Sequence, residues 1–244
     1  MPGDPRGWRY EEPKAIVVGW GGYAEYRVGL EPDPNVDANV GPIPMLEASV
    51  GFLLSVLPLA LPLFAIEPLH GSSVAVNDSA TLLLGPQGTG KSSVAAALET
   101  LGFGLLTDDT CAIDPQGRLW PGPPILNPRW GDAQQPVIGT YNRKSLRAPL
   151  AHSSAPQRVA AVLSLTPRPV STPTIRDLST TDTFRHILGN VRAPDVLAAR
   201  RQLLQLKVAA MLSPLPSATV RYDPGTHGFD QVAEAVAGWV SRLG

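Results

Sequence analysis

The chain has 244 residues, 43% of them hydrophobic, enough to bury the core of one large domain or of a domain with a smaller appendage. A formal net charge of −1 and the lack of any basic block give no global attraction for nucleic acid or an anionic membrane, so anion binding has to be local and no nucleic-acid partner is expected. A single cysteine, Cys111, excludes an internal disulfide, and the first residues lack the apolar run of a signal peptide, so a cytoplasmic location is expected.

In chain order, Lys14 to Val18 and Tyr23 to Val28 predict short strands around the turn Trp20-Gly21-Gly22, and Glu31 to Pro44 is polar and rich in turn formers. This reads as a small N-terminal β lobe. Ala48 to Ile66 is apolar over nearly the length that crosses a bilayer. Pro58 and Pro62 interrupt it, Glu47 and Glu67 close it, and no Lys or Arg flanks it, which argues against a span. The expectation is a buried helix ending near Pro58 that runs into an apolar connection.

Ser72 to Val76 and Ala80 to Leu84 predict a hairpin around Asn77-Asp78-Ser79. Ser92 to Leu101 has helical composition with Gly102 as its stop, and Phe103 to Leu106 predicts a buried strand ending at Asp108-Asp109. Pro115 to Pro156 reads as long loops, with Trp120, Trp130 and Tyr141 interleaved. Beyond it, Arg158 to Leu165 and Ala218 to Tyr222 predict strands, while Thr181 to Leu188, Pro194 to Ala210 and Gly228 to Leu243 predict helices. The resulting fold class is α/β, a mixed sheet flanked by helices with the small β lobe in front. Residues 1–69 are taken as the lobe and its apolar connection, and 70–244 as the catalytic domain.

Gly85-Pro86-Gln87-Gly88-Thr89-Gly90-Lys91-Ser92 satisfies GxxxxGK[ST], with Ser93 following, and it lies between a predicted strand and a predicted helix as that pattern requires. Its glycines allow backbone N–H groups to surround phosphate oxygens, and the helix adds its positive end. Lys91 is expected on the β and γ phosphates and the Ser92 hydroxyl on magnesium, so ATP with Mg2+ is the expected cofactor pair. Asp108 and Asp109 follow a short helix later. In a parallel βαβ unit they would sit at the carboxyl end of the strand beside the loop, one carboxylate for the metal and one to take a proton.

The order His70-Gly71, hairpin, GxxxxGKS, short helix, Gly102, apolar strand, Asp108-Asp109 resembles the catalytic domain of HPr kinase/phosphorylase, and more distantly the nucleotide core of phosphoenolpyruvate carboxykinase. It looks closest to short relatives without the long N-terminal domain, among them the kinases of lasso-peptide precursors. The resemblance implies that His70 lies near the transferred phosphate, that Asp108 is the base and that Asp109 stands on the metal side with Ser92. It implies a kinase acting on a hydroxyl, either a serine of a peptide or protein or a small-molecule alcohol; a nucleotide-binding regulatory protein is the alternative. Self-association into a homo-oligomer is compatible with the sequence.

The chain departs from that family by having no glutamate between Glu99 and Glu234, where the HPr enzymes carry a metal-site Glu-x-Arg-Gly signature. Asp132 is the nearest positional substitute, with Asp177 and Asp182 behind it. Arg129, Arg143, Lys144 and Arg147 are the candidate cations for the departing phosphate. Cys111 lies on an apolar stretch and reads as packing.

Overall fold

The computed structural model describes residues 7–12, 15–20, 23–29, 35–127, 134–141, 144–192 and 198–243. An antiparallel meander opens the chain, with β1 (Gly7–Glu12), β2 (Ala15–Trp20), β3 (Ala24–Gly29) and β4 (Asn35–Val40) lying side by side in that order. Along β3, Ala24, Tyr26 and Val28 are buried while Glu25 and Arg27 are exposed, the alternation of a sheet with one covered face. Strand β4 lies inside the stretch expected to be irregular. Its composition favours turns, but β3 pairs with it residue for residue from Gly29↔Asn35 to Ala24↔Val40, so the neighbouring strand overrides local propensity.

The meander's covered face packs on the apolar segment. That segment runs through α1 (Met45–Gly51), a π-helical stretch (Phe52–Val56), α2 (Leu57–Ala60) and a 3-10 turn (Leu61–Phe64). The helix does not end near Pro58 as expected. Pro58 falls in the first turn of α2 and Pro62 in the first turn of the 3-10 piece, where a missing N–H costs least. Val56 and Ala60 pack against Ile16, Val18, Tyr26 and Val28, and Tyr26 Oη donates to Ala48 O at 2.8 Å. Met45–Phe64 is long and apolar enough to cross a membrane by length and composition, and 33% of its most apolar window is buried inside the protein.

The large sheet begins with the hairpin of β5 (Glu67–Val76) and β6 (Ser79–Leu84), turned by Asn77 and Asp78 at φ 49 and 57, the left-handed pair that tight hairpins need. Next come β7 (Gly104–Thr107), β8 (Thr110–Ile113) and β9 (Arg118–Trp120), then a separate hairpin of β10 (Val137–Tyr141) and β11 (Lys144–Arg147). The remaining strands are β12 (Gln157–Pro167), β13 (Thr174–Asp177) and β14 (Ser217–Tyr222). The sheet order is β13-β14-β12-β6-β5-β8-β9, with β7 also paired to β5. β12 runs parallel to both β6 and β14, whereas β5 runs antiparallel to β6, β7 and β8. The sheet is therefore mixed.

This topology corrects the expected βαβ unit. The strand after the glycine-rich loop's helix does not lie beside β6, because β5 stands between them. That strand does end at the paired aspartates: β7 stops at Thr107, and Asp108-Asp109 is the break after which β8 continues along the same edge of β5.

Helix α3 (Lys91–Glu99) and α6 (Phe229–Val240) cover one face, α4 (Thr180–Leu188) and α5 (Ala198–Leu212) the other. On β6, Leu83 joins Val94, Leu98 and Val236 on the first face, while Leu82 and Leu84 join Ile187, Val208 and Leu212 on the second. Burial on both sides is why β6 reads as an unbroken apolar run, and each such leucine contributes about 1.5–3 kcal/mol by leaving water.

Candidate functional site

The loop from Gly85 to Gly90 links the end of β6 to α3, and three glycines there take backbone angles that other residues avoid, with φ of 141 at Gly85, 87 at Gly88 and 80 at Gly90. Two are also hemmed in. A Cβ on Gly85 would lie 2.8 Å from Leu165 O, and one on Gly90 would lie 2.5 Å from the Phe229 ring. Thr89 Oγ1 donates to Pro86 O at 2.9 Å, the Tyr222 hydroxyl donates to Thr89 O, and Gly85 N donates to Asn190 Oδ1 at 3.0 Å. No side chain caps the start of α3. The loop is thus clamped from outside, and the helix's positive end points to the cleft.

Lys91 is buried and turned back on this loop. Its Nζ donates to Gly85 O (2.7 Å) and Pro86 O (3.0 Å) and meets His70 Nε2 at 3.0 Å. Burial lowers its pKa, with the carboxylates of Asp108 and Asp109 pulling the other way. His70 is half-buried in β5, not ahead of the strand, and its Nδ1 lies 3.2 Å from Asp109 O and 3.5 Å from Asp109 Oδ1. Nδ1 also lies 3.2 Å from Arg192 Nη1; a proton on Nδ1 facing Asp109 leaves the Nε2 lone pair to accept from Lys91, the tautomer that serves the Asp109 and Lys91 contacts and leaves Arg192 to bond Asp109. Burial, then the Lys91 charge, lower the His70 pKa, so the ring is neutral.

The paired aspartates face different partners. Asp108 is buried; its Oδ1 accepts from Ser72 Oγ (2.5 Å) and Ser92 Oγ (2.9 Å), and its Oδ2 from Asn127 N (3.0 Å). Burial raises its pKa against the pull of those donors, and the neighbouring Asp109 raises it further. Asp109 sits in the left-handed region at φ 70, which turns its carboxylate away to Arg192, with Arg192 Nη1 2.7 Å from Asp109 Oδ2 and 3.1 Å from Asp109 O. The hydrogen bonds therefore join Ser92 to Asp108, and Asp109 to His70 and Arg192.

Sequence reading missed Arg192, Ser72, Asn127 and Asn190. Arg192 follows α4, where residues 190 to 192 run beside β5: His70 N donates to Asn190 O (2.7 Å) and Arg192 N to Pro68 O (3.0 Å). Its Nη2 donates at 2.6 Å to Leu54 O, the carbonyl that an ordinary residue at position 58 would have bonded in a regular helix and that Pro58 leaves free. Arg201, wholly buried on α5, donates to Arg192 O at 2.6 Å and to both oxygens of Glu67. The only sequence signal for Arg192 was a cation just past a predicted helix.

These groups line a cleft of about 230 Å³ whose polar floor is His70, Lys91, Ser92, Asp108, Asp109 and Arg192. Val50, Leu53 and Leu54 of the apolar segment, with Ile125, Tyr141 and Leu146, form its apolar walls. Asp132, Arg129, Arg143 and Trp130 lie outside the described residues, as does the Lys144 side chain. Asp177 accepts from Trp239 Nε1 at 3.3 Å, Asp182 pairs with Ser179 and Arg185, and Arg147 Nη1 donates to Gln135 O; none of the three aspartate or arginine side chains is among the groups lining the cleft. Trp120, on β9, donates to Asp114, and Cys111 is fully buried in the core with its thiol pKa pushed well up by burial.

Among the described residues, no cluster of three or more His, Cys, Asp or Glu could hold a metal. A magnesium ion needs less, since one or two carboxylates plus phosphate and water oxygens complete its shell. Asp108 and the Ser92 hydroxyl are hard oxygen donors already in contact at the loop, and they fit that requirement.

The fold is mixed α/β, with a large mixed sheet between helices and a small antiparallel sheet at the N-terminus. No family model and no curated protein matches the chain. Among solved structures, the HPr(Ser) kinase/phosphatase from Coxiella burnetii matches with a TM-score of 0.39 at 13% identity, over 72% of this chain and 98% of that one.

Proposed function

We propose that the protein is an ATP-dependent phosphotransferase that moves the terminal phosphate to a hydroxyl. The observation that carries this reading is the Ser92–Asp108 hydrogen bond, which joins the GxxxxGKS loop to a buried carboxylate on the floor of one cleft. In this reading the loop amides and Lys91 hold the phosphates. Ser92 and Asp108 hold magnesium, in place of the pairing of Ser92 with Asp109 that the family resemblance implies. Bound there, magnesium neutralises phosphate charge.

Lys91 exchanges its contacts with Gly85 O, Pro86 O and His70 for phosphate oxygens when nucleotide binds. That exchange frees the lone pair on His70 Nε2, which takes the proton of the acceptor hydroxyl while Asp109 holds the Nδ1 proton and so the ring's orientation. Arg192 adds fixed positive charge on the side from which the acceptor enters. The acceptor is a hydroxyl on a peptide, a protein or a small molecule.

Titration with ATP and magnesium, followed calorimetrically, tests the first step. The wild type should bind saturably and Lys91→Ala should lose at least about tenfold in affinity, the equivalent of about 1.4 kcal/mol. A wild type that binds no nucleotide at millimolar concentration ends the proposal.

A further inference from the structure

Among the described residues lining the cleft, one carries a buried, unpartnered side-chain atom that the proposed roles do not use. Asn127 lines the cleft, its backbone N–H is committed to Asp108 Oδ2, and its side-chain Oδ1 is shut off from solvent with no hydrogen-bond partner among the described residues. A buried amide oxygen left unmatched is costly, and an arriving ion is one way to satisfy it. Neither Asp108 nor Ser92 offers it a donor. Asp108 is a carboxylate already accepting from Ser72 and Ser92, and Ser92 spends its proton on Asp108. Asn127 lines the same cleft as the Asp108 carboxylate and Ser92 Oγ and is tied to Asp108 through its N–H, and a small hard cation bound there would satisfy its Oδ1 together with theirs.

We propose that Asn127 is a metal ligand, its Oδ1 the third protein oxygen beside Ser92 and Asp108, so that a neutral amide takes the place a second carboxylate would fill. This rests on the nucleotide and magnesium reading of the site. It has a charge consequence. A site with one carboxylate holds the divalent ion weakly on its own and firmly once nucleotide phosphates complete the shell, so metal and nucleotide bind as a unit.

Mn2+ serves as the probe, with free ion counted by electron paramagnetic resonance, alone and with ADP, and with nucleotide affinity measured separately in EDTA. Asn127→Leu, close in shape and without the oxygen, should weaken Mn2+ binding in the ADP complex by roughly tenfold or more. Asn127→Asp should bind Mn2+ more tightly than the wild type and should do so without ADP, and Asn127→Leu, which adds no charge, should keep the wild-type ADP affinity in EDTA. Asn127→Leu binding Mn2+ like the wild type, while Ser92→Ala loses it, would overturn the role of Asn127 and leave the site standing. If Asn127→Leu fails to fold, Asn127→Asp decides alone: unchanged or weaker Mn2+ binding overturns the proposal. Wild-type protein that binds no ADP removes the underlying reading instead.

Discussion

Replacing Arg201 by Met should destabilise the protein more than any surface change, and the reason can be worked from its contacts. Arg201 and Glu67 are both fully buried, with Nη2 at 2.6 Å and Nε at 3.2 Å from Oε1, Nε at 3.1 Å from Oε2, and Nη2 also 2.6 Å from Arg192 O. Removing the guanidinium leaves a carboxylate in the interior without its counter-charge, a loss of about 3–5 kcal/mol. For a chain of this size that lowers Tm by roughly 6–20 °C. Burial already pushes the Glu67 carboxyl up, and Arg201's hydrogen bond and charge are what pull it down. Without them the folded-state pKa rises further above its unfolded value, so the native state holds a proton the unfolded state releases. Stability is then fully present below the unfolded glutamate value and falls as pH rises toward the folded one. Urea unfolding from about pH 4 to pH 8 should show the Arg201→Met deficit growing with pH. The double variant Glu67→Met/Arg201→Met removes both charges and should recover at least half of the loss. A double variant no more stable than the single, or a deficit that shrinks as pH rises, would refute the reasoning.

Gly90→Ala forces a left-handed alanine whose Cβ meets the Phe229 ring at 2.5 Å, and chemical denaturation should show a loss of about 2–4 kcal/mol together with weakened nucleotide binding. Asp114, at the end of β8, accepts from Gln116 N and Arg118 N (both 2.9 Å), Arg118 Nε (2.8 Å) and Trp120 Nε1 (3.1 Å); Asp114→Ala should cost about 1–3 kcal/mol at neutral pH. Burial pushes the Asp114 carboxyl up but those donors outweigh it and hold it below its ordinary value, so its contribution is present above the unfolded value and disappears as pH falls through the folded one. The acid limb of the stability profile should accordingly be shallower in Asp114→Ala.

The parts of this fold legible in the sequence are those fixed by local chemistry. Asn77-Asp78 announces a tight hairpin because few residues take left-handed angles in pairs, and the glycine spacing from Gly85 to Gly90 announces a loop that must turn three times against its neighbours. The helices α4 and α6 and the strands β12 and β14 followed from period and composition within a few residues. What the sequence hid is set by contacts distant along the chain. Strand β4 exists because β3 is there to pair with it, and β5 sits between β6 and β7 because its hairpin with β6 and its ladder with β7 both bury apolar residues. Arg192 is held at the cleft by Asp109, Arg201, Pro68 and the Leu54 carbonyl, the last 138 residues earlier in the chain. No window of the sequence contains that arrangement. The aspartate pair was legible as a candidate, but its division of partners depends on the positive φ of Asp109, which no composition rule gives.

Phosphate transfer from γ-labelled ATP with magnesium, to pools of peptide and small-alcohol acceptors, tests the central claim most directly when wild type and Asp108→Asn are run side by side. The account predicts label on an acceptor with the wild type and a loss of at least about a hundredfold in Asp108→Asn, because the amide cannot replace the carboxylate against Ser92 and the metal. Saturable ATP binding by the wild type with neither transfer nor hydrolysis across the whole acceptor panel would contradict it, and the cleft would then be a nucleotide-binding site without turnover.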